Sequence, residues 1–247
     1  MLDPVQRFAG VLTLPARATG QAAAGTAKTL REWSANDVDD WGRDSETVRR
    51  AFALSRLRWD VAVGGTEHLP QRAGALIVVN ARQYALAPIF AALAIGDAMG
   101  RPVRFVGRPD IAPIGPLLQR LGGLLPIEAE LEGALRAGEL VVLGADHRPD
   151  NAATGTVDHR LVGSAVAARV RVLPGVTLSA PLQRAARVEL GPPVRRTRVR
   201  RGPLAELELA DALQKRIDEL TLEFGGPLTG TLLDWIPDLG FLRGVFV

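Results

Sequence analysis

The apolar run Ala75-Leu-Ile-Val-Val79 is the sequence feature that most constrains the fold. A short, wholly apolar run of this kind is typical of a strand buried on both faces in a sheet covered by helices. A polar turn, 80–84, follows it, and the chain from Pro88 to Met99 is again apolar enough for a helix. A buried strand that opens into a helix through a polar turn is where α/β folds commonly bind their ligands.

Further apolar runs alternate with stretches of helical periodicity along the chain. Strands are predicted at 57–63, 102–106, 124–127, 139–144, 170–177 and 187–194, and helices at 44–54, 114–123, 131–138, 162–169 and 204–220. In the first helix, Asp44 or Ser45 is the expected cap, and Val48, Phe52 and Leu54 are the expected buried face. The alternation predicts an α/β fold with a central, mostly parallel sheet flanked by helices.

The composition excludes some kinds of site. The chain of 247 residues has no cysteine, so disulfides and thiolate metal sites are impossible. Its three histidines (His68, His147 and His159) lie far apart in the sequence and no clustered carboxylate motif is present, so we expect no metal and no cofactor. Nearly all its basic residues are arginine, which either reflects the base composition of the gene or serves to bind phosphate groups.

The two ends of the chain differ from its centre. We expect an N-terminal flexible or amphipathic segment at 1–42, an α/β domain at 43–222 and an apolar C-terminal tail at 223–247. A transmembrane segment is not expected, because the longest apolar stretch, 85–99, falls short of the roughly 20 residues that a span requires. A signal peptide is not expected either, because the start Met-Leu-Asp-Pro has no basic region ahead of an apolar core. These features predict a cytoplasmic protein that rests on the inner face of the plasma membrane.

The first strand and turn resemble those of the glycerolipid acyltransferases, the 1-acyl-glycerol-3-phosphate acyltransferase family. That family has a strand, then Asn-His, then four residues, then Asp-Pro. Here Asn80 is in place, and Arg82 and Tyr84 stand where the family often has Arg and Tyr. The family's histidine and aspartate, however, are replaced by Ala81 and Leu86. The resemblance therefore implies the acyltransferase-like fold without the catalytic pair.

Later blocks also depart from the family pattern. The arginine expected after the 114–123 helix falls at Glu128, while Arg108 and Arg120 supply positive charge nearby in sequence. The family's Glu-Gly-Thr-Arg block becomes Ala145-Asp-His-Arg148, in which only the arginine remains. The resemblance implies that Arg82, Tyr84 and Arg148 bind the substrate, and Arg108 is the fourth predicted substrate-binding residue because its charge could replace the arginine missing at Glu128.

The resemblance leaves two functions open. In the family, the histidine takes the proton from the substrate hydroxyl, and a positioned base of this kind contributes about 10²–10⁴-fold to the rate. The first hypothesis is therefore a catalytically degenerate protein that binds an acyl lipid or regulates a partner in lipid metabolism. The alternative is an active acyl-CoA-dependent lysophospholipid acyltransferase whose base has moved to His147.

The expected partners follow from these hypotheses. They are an acyl lipid or lysophospholipid, acyl-CoA, an anionic membrane surface, and a protein bound through the N-terminal segment or the C-terminal tail. A basic cluster, Arg195–Arg201, has no interleaved aromatic residues. Nucleic-acid sites usually combine basic residues with interleaved aromatic residues, so no nucleic-acid partner is expected.

Overall fold

The computed structural model describes residues 38–81, 86–145, 156–179, 185–194 and 202–224. The helices in these ranges are α1 (Ser45–Arg58), α2 (Ala87–Met99), α3 (Ile114–Arg120), α4 (Glu128–Arg136), α5 (His159–Ala168) and α6 (Pro203–Glu223). The strands are β1 (Asp60–Gly64), β2 (Ala75–Asn80), β3 (Val103–Val106), β4 (Gly123–Leu124), β5 (Leu140–Ala145), β6 (Arg171–Ser179) and β7 (Ala185–Leu190).

The strands form one seven-stranded sheet in the order β1-β7-β6-β2-β5-β3-β4. The five strands from β6 to β4 are parallel to one another. Strand β7 is antiparallel to β6, and β1 is parallel to β7. The predicted α/β fold with a central, mostly parallel sheet is therefore confirmed, and the Ala75–Asn80 strand lies at its centre.

Helices cover both faces of this sheet. Alternate residues of β2 point to opposite faces, so Leu76 and Val78 join one hydrophobic cluster while Ile77 and Val79 join the other. Helices α4, α5 and α6 pack on the first cluster, and α2 and α3 pack on the second. Strand β2 is thus buried on both sides, as its unbroken apolar run predicts.

Three predicted strands have clearly different bounds in the structure, and one of them is the strand predicted at 187–194, which is Ala185–Leu190. The strand predicted at 57–63 begins at Asp60, because α1 continues to Arg58 and closes where the Trp59 N–H donates to the Ser55 carbonyl at 2.8 Å. The strand predicted at 124–127 is the short pair Gly123–Leu124. Pro126, which has no N–H to donate, ends its pairing.

The predicted inner face of α1 is also wrong in part. Thr47 and Ser55 are buried, Val48 and Phe52 are half-buried, and Leu54 is exposed. Asp44 caps the helix: its carboxylate accepts hydrogen bonds from the Glu46 N–H and the Thr47 hydroxyl. Leu54 lies about 200° around the helix from Phe52, so the two side chains cannot share a face. Leu54 then falls on the solvent side of the helix.

The contacts of the sheet domain begin N-terminal to its first helix. Arg104 of β3 is buried, and its guanidinium lies 2.6 Å from the Asp39 carboxylate and 3.4 Å from that of Glu139. The Trp41 ring stacks near the same guanidinium, 5.9 Å from its central carbon. Residues 38–44 therefore pack against the amino ends of the parallel strands. Within the described ranges, no helix is long and apolar enough to cross a membrane.

Candidate functional site

The carboxyl ends of the parallel strands meet at one edge of the sheet, and α2 begins there. Ala81 directly follows β2 and is buried, and Leu86, half-buried, stands at the N-cap of α2. Neither side chain can accept or hold a proton. The two positions at which the resemblance expects a catalytic pair are therefore apolar and packed in this chain.

Asn80 is held by the neighbouring strand at this edge. Its side-chain oxygen accepts the Thr177 backbone N–H at 2.6 Å and the Thr177 hydroxyl at 2.9 Å. Its side-chain nitrogen donates to the Thr177 carbonyl at 3.2 Å. Backbone pairing of β2 with β6 stops at Val79 and Gly175, so the Asn80 amide extends the ladder by a further step. Both polar atoms of this amide are used in holding the sheet together.

Arg108 lies at the same edge, just beyond β3. Its backbone N–H donates to the Leu124 carbonyl at 3.0 Å, which fixes the residue beside β4. The side chain is 11% exposed, and its guanidinium lies 3.6 Å from Glu130 of α4. That carboxylate also accepts the Leu125 N–H at 3.2 Å. The Arg108 Nε is buried without a hydrogen-bond partner in the described structure. An arginine has five N–H donors, so the guanidinium retains capacity for an anion.

The other charged positions predicted near this site have different surroundings. Glu128 is exposed in the first turn of α4, where its charge favours the helix N-terminus. Arg120 ends α3, whose path leads away from this edge toward the start of β4. The structure therefore places Arg108 at the carboxyl edge and Arg120 at the opposite one.

Four predicted site residues lie outside the described ranges. These are Arg82 and Tyr84, which follow β2, and His147 and Arg148, which follow β5. Their parent strands pair in register from Ala75 with Leu140 to Asn80 with Ala145, so both connections leave the sheet at neighbouring points. Their roles remain predictions from the resemblance.

The structure adds residues that the sequence did not single out. Thr177 contacts Asn80 across a separation of 97 residues, so no local pattern signals the pair. Glu130 is paired with Arg108 because the chain returns through β4 before α4 begins. His159, half-buried, opens α5 on the α4–α6 face, next to its capping residue Asp158. Because β6 follows α5 and starts at the amino edge, His159 also lies toward the carboxyl edge.

A groove between α1 and α2 lies away from this site. Its volume is about 540 Å³, and its lining includes Phe52, Leu93, Asp97 and Arg101. Arg101 donates to the carbonyls of residues 70, 71, 73 and 138, so its guanidinium is occupied by structural contacts. The groove also borders Val103 at the amino end of β3, the wrong edge for the chemistry that the resemblance implies. Among the described residues, no cluster of side chains is suited to hold a metal ion.

Comparison with solved structures shows a similarity of fold. No known protein family and no curated protein matches the sequence. Among solved structures, the chain is similar to the 1-acyl-sn-glycerophosphate (LPA) acyltransferase PlsC from Thermotoga maritima, with 18% sequence identity and a TM-score of 0.49. The similarity covers 71% of this chain and 77% of that chain.

Proposed function

We propose that this protein is a catalytically degenerate member of the acyltransferase-like proteins, which binds the anionic headgroup of an acyl lipid or lysophospholipid at the carboxyl edge of its sheet. The observation that carries the proposal is Arg108: a largely buried guanidinium at that edge, with one carboxylate at 3.6 Å and a buried Nε that has no partner in the described structure. Phosphate oxygens match such a planar donor set.

The apolar residues at the end of β2 support binding without acyl transfer. A buried alanine and a half-buried leucine cannot take the proton that the attacking hydroxyl must lose. The side-chain amide of Asn80 accepts from the Thr177 N–H and donates to the Thr177 carbonyl, so it supports the sheet. The chain keeps the scaffold around the site and lacks the base within it.

The predicted headgroup contacts Arg82 and Arg148 would add to Arg108 under this proposal. Their strands end beside each other in the sheet, and their connections begin at the edge that holds Arg108. A cytoplasmic, membrane-peripheral protein that presents a bound lipid to a partner, or regulates that partner, would need no general base.

The test is binding of lysophosphatidate below its micelle concentration, measured by titration calorimetry. Arg108→Ala should weaken binding at least about tenfold, because a charge-assisted hydrogen bond contributes roughly 1.5–3 kcal/mol. Glu130→Gln should tighten binding, since it keeps the acceptor for Leu125 and removes the competing charge. Arg136→Ala is the matched control: Arg136 pairs with Glu132 at the far end of α4 and is exposed. Equal losses in Arg108→Ala and Arg136→Ala would contradict the proposal.

A further inference from the structure

We infer that this protein docks on an anionic lipid bilayer through exposed apolar residues on α1 and at the start of α3. We call this surface the α1–α3 rim and define it by Leu54, Leu57, Ile111, Ile114 and Leu117. The inference deepens the proposed lipid-binding function and rests on it, because the rim lies at the same edge of the sheet as Arg108.

The first part of the rim is the solvent face of α1. Leu54 and Leu57 are 67% and 74% exposed, although both are large aliphatic side chains. They point outward because the helix buries Thr47 and Ser55 instead. Two neighbouring leucines left in water on a fixed helix form an apolar surface with no partner in the described structure.

The second part is the connection from β3 into α3. Ile111 is 66% exposed, and Ile114 and Leu117 are exposed beside it. Asp110 is the only charged residue between Arg108 and Leu117. The connection has a defined shape: the Gly115 N–H donates to the Ile111 carbonyl at 2.7 Å, and a side chain at Gly115 would collide with the Pro109 carbonyl. Its apolar side chains are thus presented in a fixed arrangement.

Both parts of the rim lie at the carboxyl edge of the parallel strands. The connection to α3 leaves the carboxyl end of β3 directly. Helix α1 ends just before β1, and β1 begins at the same edge because it is parallel to β7 and therefore opposed to β6. The two helices pack together, and the Asp44 N–H donates to the Arg120 carbonyl at 2.8 Å. One patch lies beside β1 and the other beside β3, toward opposite ends of the sheet, so a partner that covers both must be an extended surface.

The charge on α1 favours an anionic bilayer as that partner. Arg49, Arg50 and Arg56 are exposed on the helix, and Glu46 is its one acidic residue. The Arg56 guanidinium lies over the Phe52 ring, 5.6 Å from its centroid, beside the exposed leucines. Exposed arginines next to aliphatic side chains are the combination by which interfacial helices bind anionic lipid. Of the acidic residues at this edge, Asp60 and Asp110 adjoin the rim, Glu130 is paired with Arg108, and Glu128 and Asp158 belong to the helices on the other face of the sheet.

The test is flotation of the full chain with vesicles of phosphatidylcholine alone or mixed with phosphatidylglycerol. We expect binding to the mixed vesicles that weakens with added salt. The double variants Leu54→Ser/Leu57→Ser and Ile111→Ser/Ile114→Ser should each reduce partitioning at least about tenfold, since each removes two buried aliphatic side chains from the interface. Leu204→Ser/Leu207→Ser is the matched control, because both leucines are exposed on α6, on the other face of the sheet.

Three results would overturn the inference. They are no vesicle binding by the unaltered chain, unchanged binding by both rim variants, or a loss in the α6 control equal to that in the rim variants. Size-exclusion chromatography of the same samples tests whether a second copy of the chain covers the rim instead. A dimer that the rim variants dissociate would also overturn the inference. Rim variants should keep their affinity for soluble lysophosphatidate, whereas Arg108→Ala should keep vesicle binding. Failure of the headgroup site and failure of the rim are therefore seen in separate assays.

Discussion

The side-chain amide of Asn80 pairs with the backbone of Thr177 through both of its polar atoms, at 2.6 Å and 3.2 Å. The pair continues the β2–β6 ladder beyond its last backbone partners. Asn80, which the sequence places beside the candidate site, therefore joins two central strands, β2 and β6, through hydrogen bonds. Its role in this chain is to hold the carboxyl edge in shape.

Replacing Asn80 should destabilise the protein measurably. Asn80→Ala leaves the Thr177 N–H and carbonyl without their partner, and an unsatisfied buried polar group costs about 1–3 kcal/mol. Thr177→Val removes only the hydroxyl and should cost less. The free energy of unfolding from urea denaturation measures both. If Asn80→Ala lost no more free energy of unfolding than Thr177→Val, this structural role of Asn80 would be contradicted.

Two glycines with positive φ should respond differently to the same substitution. Gly65 (φ 74°) and Gly100 (φ 61°) both adopt the left-handed conformation. A side chain at Gly100 meets open space, so Gly100→Ala should cost only about 1–2 kcal/mol of backbone strain. At Gly65 the added carbon would collide with the Leu190 carbonyl oxygen, so Gly65→Ala should cost more. Equal thermal stabilities of the two variants would refute this difference.

Arg104 should tie the residues before α1 to the sheet. Arg104→Ala leaves two carboxylates without their shared partner and should cost about 3 kcal/mol, as breaking a buried ion pair does. It should also speed hydrogen exchange at Trp41 and Arg43, whose N–H groups donate to Asp39. Asp39→Asn keeps that acceptor oxygen while removing the charge, so it serves as the milder control. Unchanged exchange at both amides in Arg104→Ala would contradict the account.

The carboxylate of Asp44, which caps α1, should make the free energy of unfolding depend on pH. Burial alone would raise the pKa of the Asp44 carboxyl, but hydrogen bonds from the Thr47 hydroxyl and the backbone N–H groups of Thr47 and Glu46, with the charge of Arg120, lower it on balance. A carboxyl whose pKa is lowered by folding stabilises the folded state fully at a pH above its unfolded pKa. That stabilisation is lost as the pH falls through the pKa of the folded state.

The measurement compares urea midpoints at about pH 6 and about pH 3, on either side of the ordinary aspartate pKa of about 3.9. The unaltered protein should lose more stability on acidification than Asp44→Asn, which has no carboxylate to protonate. Thr47→Val should fall between them, because it removes one of the bonds that lower the pKa. Identical losses in all three would show that this carboxyl does not carry the dependence.

The fold followed from the sequence where burial alone decides the pattern. Ala75–Val79 lies at the centre of the sheet, and its apolar run is explained by cover on both faces. The boundary at Leu57 was missed because an alternating pattern over three residues fits the end of a helix as well as the start of a strand. The exposed Leu54 shows a second limit: it lies about 200° around the helix from Phe52, and α1 buries Thr47 and Ser55 instead.

The site was less predictable because its contacts join distant parts of the chain. The apolar character of Ala81 and Leu86 was evident from the sequence, since both lie in the short stretch that resembles the family motif. The Asn80–Thr177 and Arg108–Glu130 contacts depend on how β6 and α4 pack beside β2 and β3, which no local pattern encodes. The sequence therefore identified Arg108 as a candidate but not Glu130, the carboxylate beside it.

Acyl transfer from acyl-CoA to lysophosphatidate tests the central claim most directly. The assay would compare the unaltered chain with His147→Ala and His159→Ala, and mass spectrometry would identify any lipid that co-purifies. We expect no turnover above the uncatalysed rate and a co-purified acyl lipid that Arg108→Ala loses. Turnover that either histidine substitution abolishes would contradict this expectation and would identify that histidine as a base displaced from the position of Ala81.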